Sequence, residues 1–162
     1  LMTKISNSDR IILHWEMALI TYPLFRITVS TMGRLLRIQG EFQSSEIRNR
    51  VLEQYSNCGG IPRAVYRIIQ SVNDWGLINY AEGRYRIPVV VPNVESPMLL
   101  AWLFEACVLA SQRDHWGITD LLQATELFPF NLGNTGHLVL RQSDRFDILR
   151  EGLDREVVLL AA

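Results

Sequence analysis

The sequence predicts a mainly helical α+β protein in which small β-hairpins accompany the helices. Two observations predict this class. Apolar residues recur every three or four positions along most of the first half of the chain, and two short apolar stretches flank a turn glycine at Gly83 and again at Gly152. The composition indicates a folded chain, since 48% of the 162 residues are hydrophobic and 20% are charged. The apolar runs are much shorter than the roughly 18 residues of a membrane span, so we expect none.

The first two helices are expected at residues 9–20 and 23–38. Ser8 is the predicted N-cap of the first helix, because a serine hydroxyl can accept a hydrogen bond from a free backbone N–H. The second helix should bury its apolar residues, Ile38 among them, and end at Gly40 as the left-handed residue that follows it.

The third and fourth helices are expected at residues 45–55 and 62–75. Ser44 is the predicted N-cap of the third helix. Pro62 suits the first position of the fourth, where its missing N–H costs nothing, and Gly76 should end that helix.

Two short strands, residues 77–80 and 84–87, follow the fourth helix and should form a hairpin. The order of helix, short extended segment, helix, turn, helix and hairpin over residues 25–88 resembles the winged helix-turn-helix superfamily. The stretch RAVYRIIQSVNDWGLINYAEGRYRI, residues 63–87, carries most of this resemblance, because a long helix ends at Trp-Gly and leads directly into the hairpin. The resemblance implies binding to double-stranded DNA, with the fourth helix in the major groove.

The fourth helix has the two faces that such a role needs. If Val65, Ile69 and Val72 point inward, the helical period turns the opposite side chains toward solvent. Arginine can pair with guanine, glutamine or asparagine with adenine, and tyrosine can reach a phosphate. The predicted solvent-facing residues are Arg63, Tyr66, Arg67, Gln70 and Asn73.

Neighbouring elements add further candidate DNA contacts. Arg84 and Arg86 alternate along the second hairpin strand, so both should emerge on one face of the hairpin. Ser44 and Arg48, with Arg50, could contact the DNA backbone from the third helix. Fifteen of the sixteen basic residues are arginine, and residues 34–86 have a net charge of +3.

These observations predict a cytoplasmic DNA-binding protein, either a transcriptional regulator or a DNA-contacting accessory subunit of a larger assembly. The alternative is an adaptor whose winged helix binds protein, since fold alone does not fix function. The expected organisation is an N-terminal helix (residues 1–24) that covers the core or dimerises, a winged helix-turn-helix domain (25–90) and a C-terminal domain (95–162).

The C-terminal half is predicted to form a second, degenerate winged helix. Ser96 should cap a nearly all-apolar helix at residues 98–112, and Thr119 should cap a helix that extends through Leu127. Residues 138–141 fit a strand or a short helix equally well, and a closing hairpin is expected around residue 152. With a net charge of −5 over residues 87–162, this half is expected to form a homodimer, bind a protein partner or brace the first domain rather than lie on phosphate.

No residue pattern indicates an enzyme, a cofactor or a metal site. The two cysteines, Cys58 and Cys107, form neither a disulfide framework nor a zinc pattern, which favours a reducing compartment. Glu105, inside the apolar helix, is expected to have a structural partner rather than a catalytic role. Asp114 and His115 are the one acid–base pair of interest, and a loop hydrogen bond is the favoured interpretation.

Overall fold

The computed structural model describes residues 6–55 and 59–162, and this part of the chain forms seven α-helices and two small antiparallel sheets. The predicted α+β class is therefore confirmed. The helices are α1 (Asn7–Thr21), α2 (Pro23–Gln39), α3 (Ser44–Gln54), α4 (Ile61–Asp74), α5 (Pro97–Ser111), α6 (Ile118–Leu122) and α7 (Gly136–Gln142). The strands are β1 (Glu41–Phe42), β2 (Asn79–Ala81), β3 (Arg84–Arg86), β4 (Trp116–Gly117), β5 (Phe146–Glu151) and β6 (Arg155–Leu160).

Glycines end two of the helices where the sequence predicts. Gly40 follows α2 with φ +77°, and Gly76 follows the last turn of α4 with φ +73°, a conformation that side chains with a Cβ rarely adopt. Ile38, however, is 73% exposed, so its predicted burial is wrong. It lies two positions after the buried Leu36, which is roughly 200° around the helix and places it on the opposite side.

The predicted N-caps of α1 and α3 are both wrong by one or two residues. The hydroxyl of Ser6, rather than Ser8, accepts the hydrogen bond from the Asp9 N–H (3.0 Å) and begins α1. Ser44 is already the first residue of α3, because the carboxylate of Glu46 accepts the N–H of Gln43 (2.7 Å) and makes Gln43 the cap.

The first sheet has the strand order β1-β3-β2, so the strand before α3 pairs with the far strand of the hairpin. In this register Glu41 lies opposite Arg86, and Phe42 lies opposite Tyr85. The sheet thus joins the start of α3 to the hairpin that follows α4.

The second half of the chain (residues 87–162) repeats the order of helices and strands found over residues 23–86. A long helix (α5), a two-residue strand (β4), two short helices (α6 and α7) and a hairpin (β5 and β6) follow one another, and the strand order β4-β6-β5 matches that of the first sheet. The closing hairpin is confirmed, and residues 138–141 are helical.

The helix expected after Thr119 is shorter than predicted and has a different cap. Because β4 pairs with β6 up to Gly117, that glycine is the N-cap of α6, and Thr119 lies within the helix. A separate 3-10 turn, Thr125–Leu127, follows α6.

One hydrophobic core extends through both halves. Trp15 of α1 is fully buried, and the rings of Phe25, Phe128 and Phe130 meet its ring edge-on at centroid distances of 5.2 to 5.5 Å. Its indole N–H donates to the carbonyl of Glu126 (2.9 Å). Helix α1 packs chiefly against α5, and α2 packs against the 3-10 turn, so the two halves share one interior.

None of the helices in the described part of the chain combines the length and the apolar character that crossing a bilayer requires.

Candidate nucleic-acid interface

Helix α4 separates apolar and polar side chains on two faces. Val65, Ile69 and Val72 are fully buried against the rest of the first half, as predicted. Arg63, Tyr66 and Arg67 are exposed on the outer side, where the spacing of three and four residues places them next to one another. We call Arg63, Tyr66 and Arg67 the α4 ridge.

Gln70 does not extend the α4 ridge, although the sequence places it on the same side. Its side chain is half-buried, and its amide donates a hydrogen bond to the hydroxyl of Tyr85 on β3 (2.9 Å). Burial raises the pKa of Tyr85, the bond from Gln70 partly offsets this effect, and the neighbouring hydroxyls of Tyr66 and Tyr80 raise it further. Gln70 therefore fixes the hairpin to α4 instead of pointing toward solvent.

An aromatic cluster holds the hairpin beside α4. The ring of Tyr85 stacks on that of Phe42 (5.2 Å between centroids) and lies 4.8 Å from that of Tyr80. Phe42 is fully buried, whereas Tyr80 and Tyr66 are more than half exposed. Tyr80 thus adds a second largely exposed tyrosine beside Tyr66 of the α4 ridge.

The two hairpin arginines lie on one face, as the strand alternation predicts, and both bind the same carboxylate. Arg84 lies 3.1 Å from one oxygen of Glu41, and Arg86 binds the other oxygen at 2.7 Å. Glu82, at 3.9 Å from Arg86, adds a second, weaker partner. Glu41 is the residue that the sequence analysis missed at this surface, because its proximity to the arginines depends on the pairing of β1 with β3.

Helix α3 contributes exposed arginines at the edge of this surface. Arg48 and Arg50 are both exposed, while Ser44 at the helix start is half-buried. The pKa of the Glu46 carboxyl is lowered, first by the backbone hydrogen bond from Gln43 and also by the nearby guanidinium groups of Arg84 and Arg50. This carboxylate is therefore charged at neutral pH and reduces the positive field around Arg50.

The arginines of the α4 ridge differ from those of the hairpin in their surroundings. Within residues 6–55 and 59–162, no carboxylate lies within 4 Å of Arg48, Arg63 or Arg67. These guanidinium groups keep their full charge and their donor capacity toward solvent.

Helix α1, rather than the acidic half, borders the far side of the α4 ridge. An apolar groove of about 470 Å³ runs between α1 and α4, and Met17, Tyr22, Arg67 and Trp75 are among the residues that line it. Met17 and Tyr22 are each more than 60% exposed. The ridge is thus open to solvent, with an apolar border on one side.

In the second half, most arginines have carboxylate partners. Arg141 on α7 binds Glu156 (2.5 Å), Arg155 binds Glu151 (3.5 Å), and Arg145 binds Glu105. The pair with Arg145 confirms the structural role expected for Glu105. Two of the five arginines in residues 87–162, Arg113 and Arg150, have no carboxylate within 4 Å in the described ranges, and the net charge of this half is −5.

The described residues do not bring the cysteine, histidine and carboxylate side chains together into a cluster that could hold a metal ion. No group of three or more His, Cys, Asp and Glu side chains with metal-binding geometry occurs among them. Burial raises the pKa of the Cys107 thiol well above its usual range, which disfavours the reactive thiolate. Asp114 and His115 are both exposed, and no hydrogen bond joins them within residues 59–162.

Comparisons of this chain with models of protein families, with curated proteins and with solved structures find no match.

Proposed function

We propose that the protein binds double-stranded DNA through a winged helix-turn-helix unit at residues 25–90, with α4 as the recognition helix. The observation that carries this proposal is the α4 ridge, in which Arg63, Tyr66 and Arg67 face solvent while the opposite face of the helix is fully buried. In this proposal the protein acts as a transcriptional regulator or as a DNA-contacting accessory subunit of a larger assembly.

The arrangement around α4 supports this role. Helix α3 packs against α4, and the β2–β3 hairpin is fixed beside it by the Gln70–Tyr85 hydrogen bond and by the strand order β1-β3-β2. A recognition helix needs such rigid neighbours, because base contacts depend on its orientation in the groove. Arg63 and Arg67 would then pair with guanine edges or phosphates, and Tyr66 with a phosphate or sugar.

The flanking contacts are unequal in this proposal. Arg48 on α3 has no carboxylate within 4 Å in the described ranges and would bind the DNA backbone. Arg84 and Arg86 would have to share Glu41 with a phosphate, so they would contribute less than the residues of the α4 ridge.

The second half would be a degenerate winged helix that does not contact DNA. Its order of elements and its strand order repeat those of the first half, and most of its arginines are paired with carboxylates. With its net charge of −5 over residues 87–162, it would serve to form a homodimer or to bind a protein partner.

The test is a titration with duplex DNA at two salt concentrations, for example by fluorescence anisotropy. We expect binding to weaken steeply as salt rises, because each phosphate contact releases a counterion. The Arg63→Ala/Arg67→Ala variant should lose at least about tenfold in affinity and have a smaller salt slope. The Arg10→Ala/Arg150→Ala variant is the matched control, since it removes the same charge from exposed positions on α1 and β5.

Equal loss in both double variants would mean that net charge alone drives binding, and α4 would then not be the recognition helix. Loss in Arg84→Ala/Arg86→Ala alone would move the main contact to the hairpin.

A protein-binding adaptor is the second candidate, and the apolar groove between α1 and α4 favours it. Met17 and Tyr22 are largely exposed there, beside Arg67, which suits a partner helix with apolar and acidic side chains. This function predicts no salt-dependent binding to duplex DNA.

A further inference from the structure

A polar cavity of about 300 Å³ lies between the two halves of the chain, away from the α4 ridge. Its walls come from α2, the end of α3, the segment before β4 and the 3-10 turn. Three arginines, Arg26, Arg34 and Arg113, are among the residues that line it. Neither α4 nor the β2–β3 hairpin contributes a lining residue, so this site is separate from the proposed DNA interface.

Helix α2 presents three polar side chains to the cavity on successive turns. Arg26, Ser30 and Arg34 are spaced four residues apart, which places them along one face of the helix. The hydroxyl of Ser30 forms a hydrogen bond with the hydroxyl of Thr125 (2.7 Å), so the two halves of the chain meet directly at the cavity.

The third arginine is positioned by an aromatic ring. The guanidinium of Arg113 lies over the ring of Trp116, 4.5 Å from its centroid, and the indole N–H of Trp116 donates to the hydroxyl of Ser111 (2.9 Å). Stacking on a ring face leaves the N–H groups at the edge of the guanidinium plane available to a ligand.

The cavity carries more positive than negative charge. Glu126 is the one carboxylate among the residues that line it, and it lies 3.4 Å from Arg26. Its side chain is 9% exposed, and its second oxygen accepts from the Thr125 hydroxyl (3.3 Å). In the described parts of the chain, neither Arg34 nor Arg113 has a carboxylate within 4 Å. Two uncompensated positive charges therefore remain.

We propose that this cavity binds the phosphate group of a small phosphomonoester. A phosphomonoester carries a charge of about −1.5 to −2 at neutral pH and three acceptor oxygens, which matches the two uncompensated guanidinium groups. Arginine binds phosphate oxygens through two parallel N–H donors. The volume lies at the lower end of the range for ligand sites, so it suits a phosphate with a small organic body.

Binding at this site stabilises the packing of the two halves. Arg34 belongs to the first half and Arg113 to the second, and a phosphate that accepts from both connects them. A ligand that binds the folded state alone raises the unfolding temperature, and the increase grows with the ratio of the free ligand concentration to the dissociation constant.

The experiment compares ribose 5-phosphate with ribose, by isothermal titration calorimetry and by thermal unfolding of the full chain at constant ionic strength. Ribose 5-phosphate should release or absorb measurable heat and raise the unfolding temperature, whereas ribose should do neither. Arg34→Gln and Arg113→Gln should each weaken binding at least about tenfold, because each removes a charge-assisted contact. Arg26 is retained, since its loss would leave the buried Glu126 unpaired.

Arg10→Gln on α1 is the matched control, because it removes the same charge at an exposed position outside the cavity. Ribose 5-phosphate binding that is unchanged in Arg34→Gln and Arg113→Gln would overturn the proposal, as would stabilisation equal to that given by chloride at the same ionic strength. A third outcome would also overturn the proposal: the unaltered chain does not bind ribose 5-phosphate, and the two variants lose binding to duplex DNA. The arginines would then belong to a DNA contact.

Discussion

Glu16 is a carboxyl group on α1 that is almost completely buried against α5. Its Oε1 atom has no hydrogen-bond partner among the described residues. Burial, as the larger cause, and the nearby charge of Glu105 together raise the pKa of Glu16 to about 8. The folded chain therefore keeps this carboxyl protonated at neutral pH, whereas the unfolded chain releases the proton near the ordinary value of 4.5.

This difference makes stability depend on pH with a definite sign. Because the pKa of Glu16 is higher in the folded chain, the stability that this group contributes is fully present below pH 4.5. That contribution is lost as the pH rises to about 8. Between pH 5 and pH 8.5, ionisation of Glu16 should lower the free energy of unfolding of the unaltered chain by about 2–4 kcal/mol. The Glu16→Gln variant has no ionisable group at this position, so it should not show this part of the decrease. Urea unfolding at the two pH values measures this.

Glu53→Gln, at an exposed position on α3, is the control and should follow the pH dependence of the unaltered chain. Parallel curves for Glu16→Gln and the unaltered chain would show that Glu16 is already ionised in the folded protein.

At the scale of elements, the β2–β3 hairpin carries a prediction that rests on the proposed function. Glu41 on β1 neutralises both hairpin arginines, so Glu41→Gln frees Arg84 and leaves Arg86 with the more distant Glu82 as its one carboxylate partner in the described ranges. We expect the sheet register to stay unchanged. Duplex affinity at low salt should rise about three- to tenfold, with a steeper dependence on salt, because more phosphates are contacted. Fluorescence anisotropy with one duplex at two salt concentrations measures both quantities.

Glu95→Gln supplies the matched control, since it makes the same charge change at an exposed position outside residues 25–90. A gain in Glu41→Gln no larger than the gain in Glu95→Gln would exclude the hairpin from the DNA contact.

The elements show which features a sequence can predict. Gly40 and Gly76 end helices at the expected positions because the left-handed conformation is a local requirement of the backbone. The N-caps Ser8 and Ser44 are wrong because several polar residues compete at each helix start. Ser6 and Gln43 are the caps there, through hydrogen bonds with Asp9 and Glu46.

In the candidate site, too, features that depend on one segment are predicted, and features that depend on contacts between distant segments are not. The exposed face of α4 follows from helical periodicity within one segment, and its ridge is predicted correctly as a solvent-facing feature. The partners of Gln70, Arg84 and Arg86 depend on contacts between elements that are distant in sequence. No local pattern around Glu41 indicates that it will lie opposite Arg86.

At the scale of the whole molecule, a close approach at Gly33 holds the two halves together. A Cβ at this position of α2 would lie 2.2 Å from the carbonyl oxygen of Thr125 and 3.0 Å from the ring of Phe128. Gly33→Ala gains about 1 kcal/mol in helix propensity, but the overlap with a backbone atom forces α2 away from the 3-10 turn. We expect a net loss of about 2 kcal/mol or more in the free energy of unfolding.

Chemical denaturation measures this loss, and Gly59→Ala is the control because a Cβ there meets nothing within 4 Å. If Gly33→Ala and Gly59→Ala had the same free energy of unfolding, the two halves could move apart at this contact without a loss of stability.

The packing of α1 also constrains the order in which the chain can fold during synthesis. Helix α1 leaves the ribosome before its main partner α5, and the rings of Phe128 and Phe130 that enclose Trp15 are made later still. The apolar stripe of the nascent helix therefore stays uncovered, or is covered by other surfaces, until most of the chain has been translated. Helix α1 is then among the last of the described helices to reach its native environment, although it is made before the others.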